Sequence, residues 1–184
     1  MFSSGRDIII GEELNPEKVV NFGVNLVQYV TIGDVHADVV VDYYKTNFIN
    51  KIIPDYNSNS SRVTFENLHG SAGSDVFQVE TNIRPFANLD IKNSYKYNTV
   101  KYSQNGIEED APFIAKHKIL SNVSYSFDEN KWGANVSMNW FGKQTLPDTK
   151  SNPIEYQQPS ESEPFAVFNV QINKNFESFE FYAG

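Results

Sequence analysis

Cysteine is absent from the 184-residue chain. That excludes disulfide frameworks, thiol nucleophiles and Cys-ligated metals. Basic charge is scarce: 15 Lys and Arg stand against 23 Asp and Glu, a formal net charge of −8. Nucleic-acid binding needs a basic surface to neutralise phosphates, so that partner class is excluded. No run of about 18 apolar residues occurs, which excludes a transmembrane helix. The start, MFSSGRDIIIGEE, lacks the basic head and apolar core of a secretory signal. Alone this suggests a cytoplasmic protein; it equally fits a fragment whose signal lies upstream, and the rest of the sequence favours the fragment.

Catalytic motifs are missing too. There is no H-E-x-x-H, no G-x-x-x-x-G-K-[ST] and no G-x-S-x-G, and the stretch HGSAGS fails the last by spacing. His36, His69 and His117 lie on different segments, so they form no metal motif. No enzyme, cofactor or bound metal is expected.

Aromatics, by contrast, are abundant at 14%, with fourteen Phe and ten Tyr. They sit within alternating apolar and polar residues, the signature of strands with two unlike faces. In WGANVSMNW, Trp132, Ala134, Val136, Met138 and Trp140 alternate with Gly133, Asn135, Ser137 and Asn139. The same pattern predicts strands around Val20–Leu26, Val35–Tyr43, Phe77–Ile83, Leu89–Tyr97, Ile119–Phe127 and Ala166–Ile172, and a last one from Phe179. The fold class is therefore all-β, an antiparallel up-and-down meander of about eight strands with no helix.

Short turns at Thr31–Asp34, Pro85–Asn88, Asp128–Lys131 and Asn175–Ser178 alternate with long polar segments at 47–73, 104–116 and 147–164. In a meander, all short turns then fall at one end and all long loops at the other. This is the layout of outer-membrane barrels, whose periplasmic turns are short and outer loops long. All eight prolines fall in connections or at strand ends, where no ladder N–H is lost.

The facing of the apolar row has two readings. The polar faces are rich in Asn, Ser and Gln, which suits a wet lumen. Aromatics gather toward strand ends at Tyr29, Tyr43, Tyr95, Tyr97, Tyr125, Phe127, Trp132 and Trp140. Trp132 and Trp140 are roughly 26 Å apart along a strand, or about 20 Å of height at a tilt near 40°. A lipid-facing band about 25 Å tall, edged by aromatic girdles, accommodates that spacing. The alternative is a soluble β-barrel that binds a small ligand in an inward apolar cavity.

Several stretches carry a family resemblance. GRDIIIGEELNPEKVVNFGVN resembles the EELKPE…NYG segment of TonB-dependent outer-membrane receptors, those of Bacteroidetes type in particular. NKIIPDYN and VTFENLHG look like the strand and outer loop that follow. APFIAKHKILSNVSY is similar to their P-x-x-P-K-H-K motif, with Ala115 in place of the second proline, a change expected to loosen the loop. WFGKQTLPDT resembles a W-x-G-K-x-x-L-P strand exit, and FNVQINKNFESFEFYAG a penultimate hairpin. The resemblance spans residues 1–184 and implies part of a transmembrane barrel of roughly 22 strands, with the plug domain and final strand absent. It further implies outer-membrane localisation and TonB-energised uptake of a nutrient such as a ferric siderophore or cobalamin. The implied partners are outer-membrane lipid, the TonB complex through an N-terminal region, and a small-molecule or metal-chelate ligand.

Within that frame, Trp132 and Trp140 are expected as lipid-facing girdle residues. The outer-loop ligand candidates are Asp110, in the carboxylate run Glu108–Asp110, and Tyr156 and Gln157, which offer stacking and hydrogen bonds. His117 is expected to anchor the start of its strand. On the lumen face, either Arg84 meets Asp90 or Glu80 meets Lys92, depending on register.

Overall fold

The structure, a computed structural model, describes residues 7–11, 13–55, 59, 61–104, 106–127, 129, 131–150 and 152–184. Parts of the expected N-terminal stretch, of each long segment and of the Asp128–Lys131 turn lie outside the described residues.

Eight strands form one antiparallel meander: β2 (Lys18–Ile32), β3 (Val35–Asn50), β6 (Gly70–Phe86), β7 (Leu89–Gln104), β9 (His117–Phe127), β10 (Trp132–Phe141), β11 (Phe165–Asn175) and β12 (Glu180–Ala183). Their spatial order follows the chain, with β2 and β12 at the two edges. Each expected strand is present; the first seven extend beyond their alternating segments at one or both ends, and the last is confined to Glu180–Ala183. The first turn shows the local chemistry. Gly33 has φ of 60° beside Asp34, and glycine at the first central position suits a two-residue hairpin loop.

Four further strands lie within the connections: β1 (Asp7–Ile10), β4 (Ile52–Asp55), β5 (Arg62–Asn67) and β8 (Ile107–Asp110). Strand β5 pairs in parallel with β1 and antiparallel with β4, making a separate three-stranded sheet. Strand β8 folds back onto β7. The third long segment holds a short 3₁₀ turn at Ile154–Tyr156. Ala115 is only 1% exposed and forms a bridge with Gln144. The alanine in the proline's place is therefore a fixed point of the loop, against the expectation of loosening.

Register aligns like with like across the meander. One face carries the row Leu26, Val41, Val79, Tyr95, Ile119, Trp140 and Ala166; the other carries Tyr29, Asp38, Asn82, Lys92, Asn122, Ser137 and Asn169. Tyr29 thus lies on the polar face, opposite Asp38, and drops out of the girdle set. Tyr29 lies three positions after Leu26, an odd offset that puts it on the opposite face, because strand parity is strict.

The same register produces both charge pairs that the sequence offered as alternatives. Arg84 holds Asp90 at 2.6 Å, and Lys92 reaches Glu80 diagonally at 3.5 Å. Double-mutant cycles in the intact protein should give coupling at both pairs, each about 0.2–1 kcal/mol. The crossed combination Arg84 with Glu80 should give none. Unfolding in urea reads the energies; coupling at only one pair would refute the register.

Candidate functional site: two faces of a wall and its loop cluster

Burial decides which way the apolar face looks. Along β9, Ile119, Val123, Tyr125 and Phe127 are each about two-fifths exposed, whereas the alternating Lys118, Leu120, Asn122, Ser124 and Ser126 are half-buried. A water-soluble sheet buries its apolar residues and leaves the polar ones exposed. Along β9 the polar face is therefore the sheltered side and the apolar face the open side. Among the described residues the buried apolar side chains are Ile53, Val63, Leu68 and Ala115, all in the long connections. Among the described residues the apolar alternation of β9 is not gathered into a core, which argues against the soluble-barrel alternative.

The apolar face is zoned by height. Toward the short turns, Phe127 and Trp132 stack at 6.1 Å with planes 4° apart, and the Lys174 ammonium lies 4.4 Å from the Trp132 ring centre. Toward the long loops, His117 packs against Tyr97 at 5.1 Å, and its Nδ1 lies 2.8 Å from the Tyr95 hydroxyl. Trp140 stands in the same region, beside Gly142. His117 is thus the first residue of β9 and belongs to an aromatic belt. Ten residues of β9 separate the two belts, about 25 Å of height at a 40° tilt. Val123, Val136 and Val170 lie between them in one cross-strand row. The alternation did not disclose one interruption. Thr81, Asn93 and Ser121 share a mid-height row of this face, where Ser121 donates to Asn93 at 2.8 Å.

The polar face is tied together by side-chain hydrogen bonds. Asn122 and Asn135 bond reciprocally at 3.1 Å, and Asn135 donates to Ser124 at 2.7 Å. Asn82 donates to Asp38 at 2.6 Å and Asn25 to Asp42 at 2.6 Å. Neutral amides suit a wet, enclosed surface because each is both donor and acceptor.

At the long-loop end, the segment before β2 is clamped to the loop after β3. The Asn15 amide donates to the Asn67 side chain at 2.7 Å, and Asn67 donates back to the Asn15 carbonyl at 3.0 Å. Glu17 accepts from Lys51 at 2.8 Å and from the Ile52 amide at 2.9 Å. The Lys51 hydrogen bond, then the Ile52 amide, hold the Glu17 carboxyl below its ordinary range.

The carboxylate run does not converge. Glu108 pairs with Lys101, Glu109 accepts from the Tyr102 hydroxyl at 3.0 Å, and Asp110 Oδ2 accepts from Lys116 at 2.6 Å. Asp110 Oδ1 is buried and, among the described residues, has no hydrogen-bond donor. Tyr156 is 64% exposed on the 3₁₀ turn. Gln157 spends its amide on its own loop, donating to the carbonyls of Lys150 at 3.1 Å and Asn152 at 3.0 Å. Asp110 and the Tyr156–Gln157 pair thus stand on different connections, and the structure shows no contact joining them. Among the described residues no group of three or more His, Asp or Glu is arranged to hold a metal ion.

The family profile described as "TonB dependent receptor-like, beta-barrel" matches residues 1–184. This chain belongs to the TonB-dependent receptor β-barrel family. Among solved structures, the pyoverdine outer-membrane receptor FpvA of Pseudomonas aeruginosa, bound to pyoverdine, superposes with a TM-score of 0.64 at 14% identity, over 92% of this chain and 25% of that one. The copper transporter OprC gives 0.64 at 16% identity, over 89% and 24%. The FrpB iron transporter of Neisseria meningitidis gives 0.59 at 13% identity, over 91% and 26%. No curated protein sequence gives a significant match. The chain thus spans about a quarter of the length of these solved structures, and the likeness is one of fold.

The Glu17 clamp makes a pH prediction. Its carboxyl titrates lower folded than unfolded, so the stabilisation is complete above the unfolded glutamate value of about 4.3. It is lost as pH falls through the lower folded value. Amide exchange at Ile52 in the intact receptor, corrected for intrinsic rates, should accelerate over that window. Glu17→Gln should give the faster exchange already at pH 7.

Proposed function

We propose that this chain is part of the wall of an outer-membrane receptor that imports a scarce nutrient, such as a ferric siderophore or cobalamin, with energy delivered through TonB. The single observation that carries the reading is the reversed burial on β9, where the apolar alternation faces open and the polar alternation faces in. With lipid rather than water as the outer solvent, that pattern is the stable one. On this reading the exposed edges of β2 and β12 pair with further strands of the same barrel, and the plug and TonB-contacting region belong to a longer protein.

The roles divide by location. Trp132 and Trp140 sit at the two lipid interfaces, with Lys174 extending the lower girdle toward the headgroups. Asp110, Tyr156 and Gln157 are the outer-loop candidates for ligand contact. The exposed ring of Tyr156 favours it most, since the Gln157 amide is already committed to its own loop. The receptors and transporters of known structure carry pyoverdine, copper or iron in their names, which supports a metal or metal-chelate ligand here.

The experiment is depth-dependent quenching. The intact protein is reconstituted in vesicles with bromine at the top or the middle of the acyl chains. Shallow bromines should quench Trp132 and Trp140 more strongly than central ones. Phe substitution of one tryptophan at a time assigns the signal. Absence of quenching at either depth would overturn the wall reading.

A further inference from the structure

Most described lysines and arginines of this chain find a carboxylate, and on the polar face of the meander Arg84 has Asp90 and Lys92 has Glu80. Two others on that face do not. Lys96 on β7 stands directly opposite Lys118 on β9. Both are half-buried on the sheltered face, and among the described residues neither has a carboxylate within 4.0 Å. Opposed residues have Cβ atoms about 5 Å apart, and like charges at such positions repel. Left empty, the pair opposes folding.

The same cross-strand row continues from Lys118 to Phe141 on β10 and Phe165 on β11. Their rings stack at 5.0 Å with planes 22° apart, and the Lys118 ammonium lies 5.6 Å from the Phe141 ring centre. Phe165 is 46% exposed, so an apolar shelf is open beside the two charges. On the other side of the row, Gln78 lies opposite Lys96. All four residues sit toward the long-loop end, where β9 and β11 begin and β10 ends.

We propose that Lys96 and Lys118, with the Phe141–Phe165 shelf, form a seat for a ligand bearing an anionic group, carboxylate, phosphate or sulfonate, on a planar apolar body. The proposal rests on the receptor reading, which makes this face the lumen and this end the outer mouth. The anion relieves the repulsion by bridging two ammonium groups, and the ring system stacks on Phe165. A carboxylate from elsewhere in the receptor's own chain would also satisfy the lysines, but it would leave the adjoining aromatic shelf without a partner. The position near the long loops further favours a ligand arriving from outside.

The test uses the full-length receptor purified in detergent, with naphthalene-1,5-disulfonate as fluorescent probe, naphthalene-1,5-diol as its neutral counterpart and inorganic phosphate as competitor. The disulfonate should bind, the diol should bind at least about tenfold more weakly, and Lys96→Gln or Lys118→Gln should each weaken the probe about tenfold. The double Lys→Arg variant should retain binding. Phe141→Leu should weaken the disulfonate while leaving competition by phosphate unchanged. Equal probe affinity in the wild type and the double Lys→Gln variant would overturn the seat. So would absence of probe binding together with a lower melting temperature of that variant, which assigns the lysines to a carboxylate of the same chain; an unoccupied pair predicts an unchanged or raised melting temperature. Heat-modifiable migration of the wild type from outer-membrane fractions reports on the receptor reading separately. A receptor that inserts yet ignores the probe refutes the seat alone, and one that fails to insert refutes the underlying reading.

Discussion

A sheet that stands in lipid must pair every backbone N–H and C=O with another strand, because the surrounding solvent offers no hydrogen bonds. The rest of this structure depends on that constraint. It explains why β2, β3, β6 and β7 run for 15 to 17 residues, well beyond the strand lengths usual in soluble domains. It also explains the plain sequential order of the meander, since each new strand must complete the ladder of the one before. Once the ladder is continuous, strand parity assigns every side chain to one solvent or the other. A single register then fixes the apolar face, the polar face and the height of each belt aromatic together.

Little conventional core is left for such a wall to build. Among the described residues the tightly buried apolar side chains are in the connections: Ile53 and Val63 in the three-stranded loop sheet, Leu68 just after it, and Ala115 at its bridge to Gln144. The long-loop end is therefore a packed structure in its own right. Asn15 with Asn67 and Glu17 with Lys51 join the segment before β2 to the loop after β3. The two neighbouring segments are thereby tied to each other, and on the proposed receptor reading a ligand-recognising surface would gain from such preorganisation.

What could be read in the sequence follows from the range of each signal. Alternation is local, so the eight wall strands were legible from segments such as Val136–Trp140 and Phe77–Ile83. The loop strands were not. Strand β1 pairs with β5 across more than fifty residues, and β4 contains Pro54, a residue that argues against strand. Tyr29 was misplaced because its apolar character outweighed its parity. Trp132 and Trp140 were placed on one face correctly, because no bulge interrupts β10. The Lys96–Lys118 opposition was invisible for the converse reason: residues 22 positions apart meet only through a register that the sequence does not print.

The chemistry of the lumen face makes that opposition informative. Most of this face is neutral and self-satisfied, as in the Asn122, Ser124 and Asn135 cluster, whose amides and hydroxyl bond one another. Where charge does occur toward the short turns, each cation has an anion, Arg84 with Asp90 and Lys92 with Glu80. Asp38 and Asp42 stand on the same face and accept from Asn82 and Asn25, so carboxylates here are held by neutral amides as well as by cations. The exception lies nearer the loops, where two lysines stand directly opposite one another beside stacked phenyl rings. Two like charges set side by side concentrate the local potential where an incoming anion would meet them. The hydrogen-bonded and ion-paired groups on the rest of this face define the site by contrast with the two lysines.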